Sequence, residues 1–265
     1  MGNVEPIHFL DITSTLPGSS KSWSPNTLKV RAALNFKGVP YTQSWVSYPD
    51  IKPLMTGFGV RPNEDGLPYT LPAIIHKSSI TSNSHGAMMD SLPIIEHLDK
   101  VFPSPPLFPS GDASYALFIA VGKILTGMSP GFRNTILPRV PEYLDERGAE
   151  YFLRTREEWF GKPLAEVLPS DQEKEELWKI VEKESEALIR MLKGRDGKKG
   201  PFFEGEVAGF ADMFVACYVA WVERFDKALF EKFVGLGNGE IKTLYEACLP
   251  WLEGQGEEKE CPVSQ

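Results

Sequence analysis

The chain has 265 residues, with 28 Lys and Arg against 36 Asp and Glu, for a formal net charge of −8. Hydrophobic residues make up 42% and charged residues 24%, ordinary globular usage that excludes a disordered tail protein and a membrane-embedded one. The acidic balance leaves no electrostatic footprint for nucleic acid or an anionic membrane surface. Three scattered cysteines, Cys217, Cys248 and Cys261, fit a reducing compartment better than a disulfide framework.

The N-terminus has neither the basic nor the apolar stretch of a secretory signal, and Pro6 stands where a myristoylation motif needs Ser or Thr. The longest unbroken apolar run, residues 213–222, is far short of a membrane span. A soluble, cytoplasmic chain is expected.

Residues 7–12 (IHFLDI) read as a short strand. After a Gly/Ser loop, Ser24-Pro25 opens a helix in which Leu28, Ala32 and Phe36 share a face, and Gly38 closes it. Residues 41–46 read as a second strand, residues 49–66 as an irregular segment, and residues 69–76 (YTLPAIIH) as a further strand with a proline inside. Ser91 starts a helix with Ile94, Leu98 and Phe102 on one side. Four of the 22 prolines then fall within residues 102–111, which places a domain boundary there. Eight Lys and Arg balance eight Asp and Glu in residues 1–102, so the whole −8 lies beyond.

Beyond the boundary the chain reads as helical: residues 112–126, 142–160, 171–193 and, apolar nearly all round, 211–225. The expected fold is α/β plus all-α. Residues 1–102 form the α/β domain, 103–111 a Pro-rich linker, 112–253 an all-helical domain, and 254–265 a disordered Gly/Glu-rich tail.

Three local patterns carry a plain and a sharper reading. Ser24-Pro25 is an ordinary N-cap with proline at the first helical position. The sharper reading is a helix N-terminus whose hydroxyl and free N–H groups favour a bound thiolate. Leu71-Pro72 is an edge strand or bulge, or else a cis-proline that turns the Leu71 backbone towards a ligand. Asp90-Ser91 is a helix cap, or a pair that holds the ammonium and carboxylate of an amino-acid-like group.

These patterns, in this order, resemble the glutathione transferase family. The motifs are Ser22-Trp23-Ser24-Pro25-Asn26-Thr27, Trp45-Val46-Ser47-Tyr48-Pro49-Asp50-Ile51, Tyr69-Thr70-Leu71-Pro72-Ala73-Ile74 and Asp90-Ser91-Leu92, followed by Gly209-Phe210-Ala211-Asp212 in the helical half. The narrower resemblance is to the fungal-specific class A, etherase-like enzymes related to bacterial β-aryl etherases. It implies a thioredoxin-like first domain, a helical second domain and a homodimer.

The resemblance implies that Ser24, with Asn26 beside it, stabilises the thiolate of glutathione, which is the co-substrate. Ser in place of Cys argues against thiol reductase chemistry. Pro72 is the implied cis-proline, the Leu71 backbone pairs with the cysteinyl part, and Asp90 and Ser91 bind the γ-glutamyl end. Trp23 belongs to the same glutathione-binding set. Lys52 and Arg61 are alternative bases for the glycyl carboxylate. The thiolate would attack hydrophobic aromatic electrophiles in detoxification, by conjugation or by displacing an aryl ether, ester or halide. The acceptor site is expected between the domains, with Tyr115, Phe118 and Met128 in its lining. A ligandin-type protein that sequesters phenolic or flavonoid compounds is the alternative.

Other features are expected to be structural. Gly209 replaces the Ser or Thr cap usual three residues before Asp212, which leaves Asp212 structural. Gly235, Gly237 and Gly239 follow no strand, Lys198-Lys199-Gly200 lacks phosphate-loop spacing, and the four histidines show no metal-ligand spacing, so no metal site is expected.

Overall fold

In the computed structural model, which describes residues 6–261, strand β1 spans Ile7–Ile12 and is buried along its whole length. Full burial follows from its central place, since a strand covered on both faces carries no polar side. It pairs in parallel with β2 (Tyr41–Val46), Ile7 opposite Tyr41, and antiparallel with β3 (Ala73–Ile75). β3 pairs antiparallel with β4 (Ala87–Met89), giving a mixed sheet. The fifth strand is β5, Glu257–Glu258, parallel to β2, and the order is β4-β3-β1-β2-β5.

Helix α1 (Pro25–Phe36) connects β1 to β2, and α3 (Ser91–Val101) packs against it. The Lys37 ammonium, its side chain fully buried, fastens this end by donating to Asp99 Oδ1 (2.7 Å) and to the carbonyls of Phe102 (2.7 Å) and Pro105 (2.8 Å). The expected irregular segment contains a helix, α2 (Ile51–Gly57), seven residues long with Pro53 in its first turn, too short to show periodicity. The strand expected over residues 69–76 is cut to three, because Pro72 has no N–H for the ladder.

The described residues divide into two units. The first holds residues 6–106 together with 144–148 and 251–261, and the second holds 107–143 and 149–250. The division falls between Pro106 and Leu107, inside the Pro-rich stretch. Residues 144–148, expected within the helical domain, belong with the first unit. There Ser47 Oγ donates to Asp145 (2.8 Å) and Arg147 forms a two-pronged ion pair with Asp50 (2.7 and 3.0 Å).

The expectation of a disordered tail is corrected over residues 254–261. The Gly254 carbonyl accepts from Asn35 Nδ2 at 3.0 Å, Ser44 Oγ donates to the Lys259 carbonyl at 2.5 Å, and β5 completes the sheet. Residues 262–265, and residues 1–5 on which the signal and myristoylation readings fall, lie outside the described residues.

The second unit is helical: α4 (Asp112–Ile136), α5 (Glu146–Phe160, its first turn belonging to the other unit), α6 (Asp171–Lys193), α7 (Phe210–Phe225), α8 (Lys227–Val234) and α9 (Glu240–Glu253, its last three residues belonging to the other unit). By length and composition alone, residues 112–143 would suffice to cross a membrane. In the protein Phe118, Val121, Leu125, Met128 and Phe132 form a buried stripe, and α4 packs against α6 and α7. The helix runs ten residues past the expected stop at Thr126 and passes through Pro130. Gly131 allows the close approach of α6, since a Cβ there would lie 2.4 Å from Val181 Cγ2.

Helix α7 is buried nearly all round. Asp212 Oδ2 accepts from the Gly209 N–H and Oδ1 from the Phe203 N–H, both at 2.8 Å. Gly209 has no side chain to return the bond, so Asp212 alone supplies the side-chain part of this helix start.

Candidate functional site

Ser24 is the N-cap of α1, extended at φ −68°, ψ 127°, with Pro25 at the first helical position. Its carbonyl accepts from the Leu28 N–H (2.9 Å) and from Thr27 Oγ1 (3.1 Å), while its hydroxyl makes no cap bond. The first-turn N–H groups lack intrahelical partners by construction, so this helix end favours an anion. Ser24 and Trp23 are buried, whereas Asn26 is exposed on the first turn.

The Leu71–Pro72 bond is cis. The Pro72 carbonyl accepts from the Asp90 N–H at 3.1 Å, so two segments distant in sequence are joined directly. Ala73 stands opposite Leu10 of β1 and Met89 of β4. Leu71-Pro72 before it, Asp90-Ser91 after Met89, and the chain leaving β1 towards Ser24 therefore share one end of the sheet. Asp90 has φ 76°, the one positive φ outside glycine among the described residues. An L residue held there is strained, a condition that clusters at ligand sites. Ser91, buried, opens α3.

Beneath this end lies a network that sequence reasoning did not identify. Asp11 and Arg31, both fully buried, form an ion pair at 3.0 Å. Asp11 Oδ2 also accepts from Ser22 Oγ at 2.6 Å, and Oδ1 from the Ile12 N–H at 2.7 Å. Arg31 Nη1 donates to Tyr41 Oη at 3.2 Å. The available signal was an Asp inside an apolar strand, with an Arg three residues beyond Leu28 on the apolar face of α1.

The two candidate bases are placed differently. Lys52 is exposed on the first turn of α2. Arg61 is exposed at a cavity of about 360 Å³ that Val60, Asn63, Asn83 and Met88 also line. The three acceptor-site residues, all on α4, differ in exposure. Met128 is fully buried, with Ser185 Oγ 3.1 Å from its sulfur. Phe118 lies in a ring cluster with Phe210 (5.1 Å), Phe214 (5.5 Å) and Tyr115 (5.9 Å). Their spacing on α4 is the spacing of a core stripe, and packing has used it. Tyr115, half-buried, is the outer member of the cluster.

Cys217 and Cys248 are buried, and burial pushes the Cys248 thiol up, away from a thiolate. Ser79 Oγ bridges His76 Nδ1 and His97 Nε2 (2.9 Å to the latter), so these rings are spent on a hydroxyl.

Residues 23–101 match the family described as glutathione S-transferase, N-terminal domain, and residues 119–251 match glutathione S-transferase, C-terminal domain. The chain is 53% identical over 264 residues to the glutathione S-transferase-like protein ustS of Aspergillus flavus, spanning 98% of this chain and 96% of that one. A glutathione S-transferase of Ceriporiopsis subvermispora, solved in complex with glutathione, superposes with a TM-score of 0.79 at 31% identity, covering 93% of this chain and 98% of that one. Glutathione transferase GSTFuA3 of Phanerochaete chrysosporium superposes with a TM-score of 0.80 at 29% identity, covering 94% and 98%. By sequence and by fold, the chain belongs to the glutathione S-transferase family.

Proposed function

We propose that this protein transfers the sulfur of glutathione to hydrophobic aromatic electrophiles, with Ser24 as the group that holds the thiolate. Glutathione binds along the sheet end where Ser24, Leu71-Pro72 and Asp90-Ser91 meet. The Leu71 backbone pairs with its cysteinyl part, and the Asp90 carboxylate and Ser91 hydroxyl take the γ-glutamyl ammonium and carboxylate. Trp23 and Asn26 flank the sulfur, and Lys52 or Arg61 meets the glycyl carboxylate.

The thiol proton leaves to solvent. The Ser24 hydroxyl donates to the resulting thiolate, and the N-terminus of α1 adds its dipole. The sulfur then forms a bond to the electrophilic carbon, and the leaving group, an aryloxide, carboxylate or halide, departs with the bonding pair. Aryl ether or ester cleavage and detoxification follow from the etherase-like resemblance, and the chain acts as a homodimer.

The observation that carries this reading is the Ser24 hydroxyl at a helix N-terminus, unused by its own helix. Replacing it by Ser24→Ala should lower kcat for an activated chloroarene about 10- to 100-fold, the worth of one hydrogen bond to a charged group. The KM for glutathione should stay within about threefold, because Asp90 and Ser91 carry that affinity. Unchanged turnover refutes the role of Ser24. Tight binding of phenols with no turnover of any electrophile would favour the sequestering alternative.

A further inference from the structure

We propose that the C-terminal strap, residues 254–259, is a positioning element for the Ser24 loop; the proposal rests on the reading of Ser24 given above. The strap reaches that loop by two routes within the first unit.

The outer route runs over the surface. Gln255 Nε2 donates to the Gly18 carbonyl at 2.8 Å. Glu258 Oε1 accepts from Trp45 Nε1 at 2.7 Å and lies 3.6 Å from Lys21 Nζ, which itself sits 4.4 Å from the centre of the Trp45 ring. Gly18 and Lys21 bound the single 3-10 turn that leads into Ser22-Trp23-Ser24. The Lys21 carbonyl is further held by Ser14 Oγ at 2.8 Å.

The inner route runs through the buried network. The Gly254 carbonyl accepts from Arg31 Nη1 and Tyr41 Oη, each at 3.2 Å, and from Asn35 Nδ2 at 3.0 Å. Arg31 Nη2 binds Asp11 Oδ2 at 3.0 Å, and the same oxygen accepts from Ser22 Oγ at 2.6 Å. Ser22 precedes Ser24 by two residues.

The seat is shaped for the strap. A Cβ on Gly256 would lie 2.5 Å from the Tyr41 carbonyl oxygen and 2.6 Å from the Tyr41 ring, so glycine is what permits the approach. Glu-Glu has little preference for a strand, and the pairing is held instead by the Lys259 N–H to the Gln43 carbonyl (2.9 Å) and by Ser44 Oγ. Covering a sheet edge would need only the contacts to β2. The bonds to Gly18 and Lys21 go further, to the segment that carries Ser24. A donor to a thiolate works only where its oxygen is held within a fraction of an ångström.

The test uses the full chain with Gln255→Ala and Glu258→Ala combined, since both side chains are exposed and neither belongs to the glutathione site. With saturating chloroarene, kcat should fall about threefold to tenfold. The KM for glutathione should stay within about twofold and the melting temperature within about 1 °C. The acidic limb of the kcat/KM profile should move to higher pH, reporting a less stabilised thiolate. Glu258→Gln alone, which keeps an oxygen for Trp45 and loses the charge facing Lys21, should give an intermediate loss. Unchanged kcat and pH profile overturn the proposal, as does a fall in kcat matched by a lowered melting temperature. If Ser24→Ala slows turnover and the strap variant does not, the strap proposal alone fails. If Ser24→Ala is itself without effect, the reading of Ser24 fails and takes the strap proposal with it.

Discussion

The interiors of the two units are built from different chemistry. The first buries Asp11, Arg31, Lys37 and His8 among its apolar side chains. The second buries rings: Phe132 against Phe233 (4.9 Å) and Tyr218 (5.4 Å), and Phe118 against Phe210. Its fully enclosed carboxylate is Asp212. Rings supply area and tolerate small shifts. Buried ions and hydrogen bonds supply direction, and they cost much when one partner is lost. The unit that must place a serine, a cis-proline turn and an Asp-Ser pair at one sheet end is the unit with directional contacts inside.

The strongest break of this contrast is Arg31→Met, which leaves Asp11 buried without its cation. A loss of about 3–5 kcal/mol is expected in chemical denaturation, partly restored when Asp11→Leu is added. A loss below about 1 kcal/mol would show that the buried pair is not central to the first unit.

Asp212 is the counterpart in the helical unit. Burial first of all pushes its pKa up to about 6, against the opposing pull of the Phe203 and Gly209 N–H bonds. Asp212→Asn turns an amide NH₂ towards one of those two donors and should cost about 1–3 kcal/mol.

The pH responses sharpen the comparison with a smaller effect. Burial, assisted by Lys259, lowers the His8 pKa from 6.5 to about 4. Between those values the unfolded chain binds a proton that folded His8 refuses, so its contribution to stability falls as pH drops through that window. Asp212 has the opposite sign: its folded carboxyl holds a proton from the ordinary 3.8 up to about 6, and its contribution falls as pH rises through that range. Amide exchange, corrected for intrinsic pH dependence, should therefore show β2 and β5 loosening towards about pH 4.5, and the start of α7 loosening towards about pH 6.5. His8→Gln should remove the first response and leave the second. Parallel responses in both units would contradict the assignment.

Much of the site was legible because short-range rules govern it. Ser24-Pro25 marks a helix start wherever it falls, and Ile7–Ile12, Tyr41–Val46 and Asp171–Lys193 carry enough pattern to bound themselves. What escaped was set by partners far away in sequence. β4 is three residues long, and β5 is a Glu-Glu pair that no propensity marks as a strand. The same limit holds for Phe118 and Met128: their spacing suits a lining and a core alike, and their neighbours on α6 and α7 come from far along the chain.

By itself, then, the sequence determined the alternation of strand and helix in the first half, the helices of the second, and the motifs that tie the chain to its family. Those are features of neighbours along the chain, within reach of backbone sterics, capping and periodicity. Only the tertiary structure decided that Pro72 and Asp90 touch, that Arg31 and Asp11 pair under Ser22, and that the acidic tail returns as a strand beside β2. Each of these joins segments well apart in sequence, and such contacts are selected by the packing and hydrogen bonding of the whole unit.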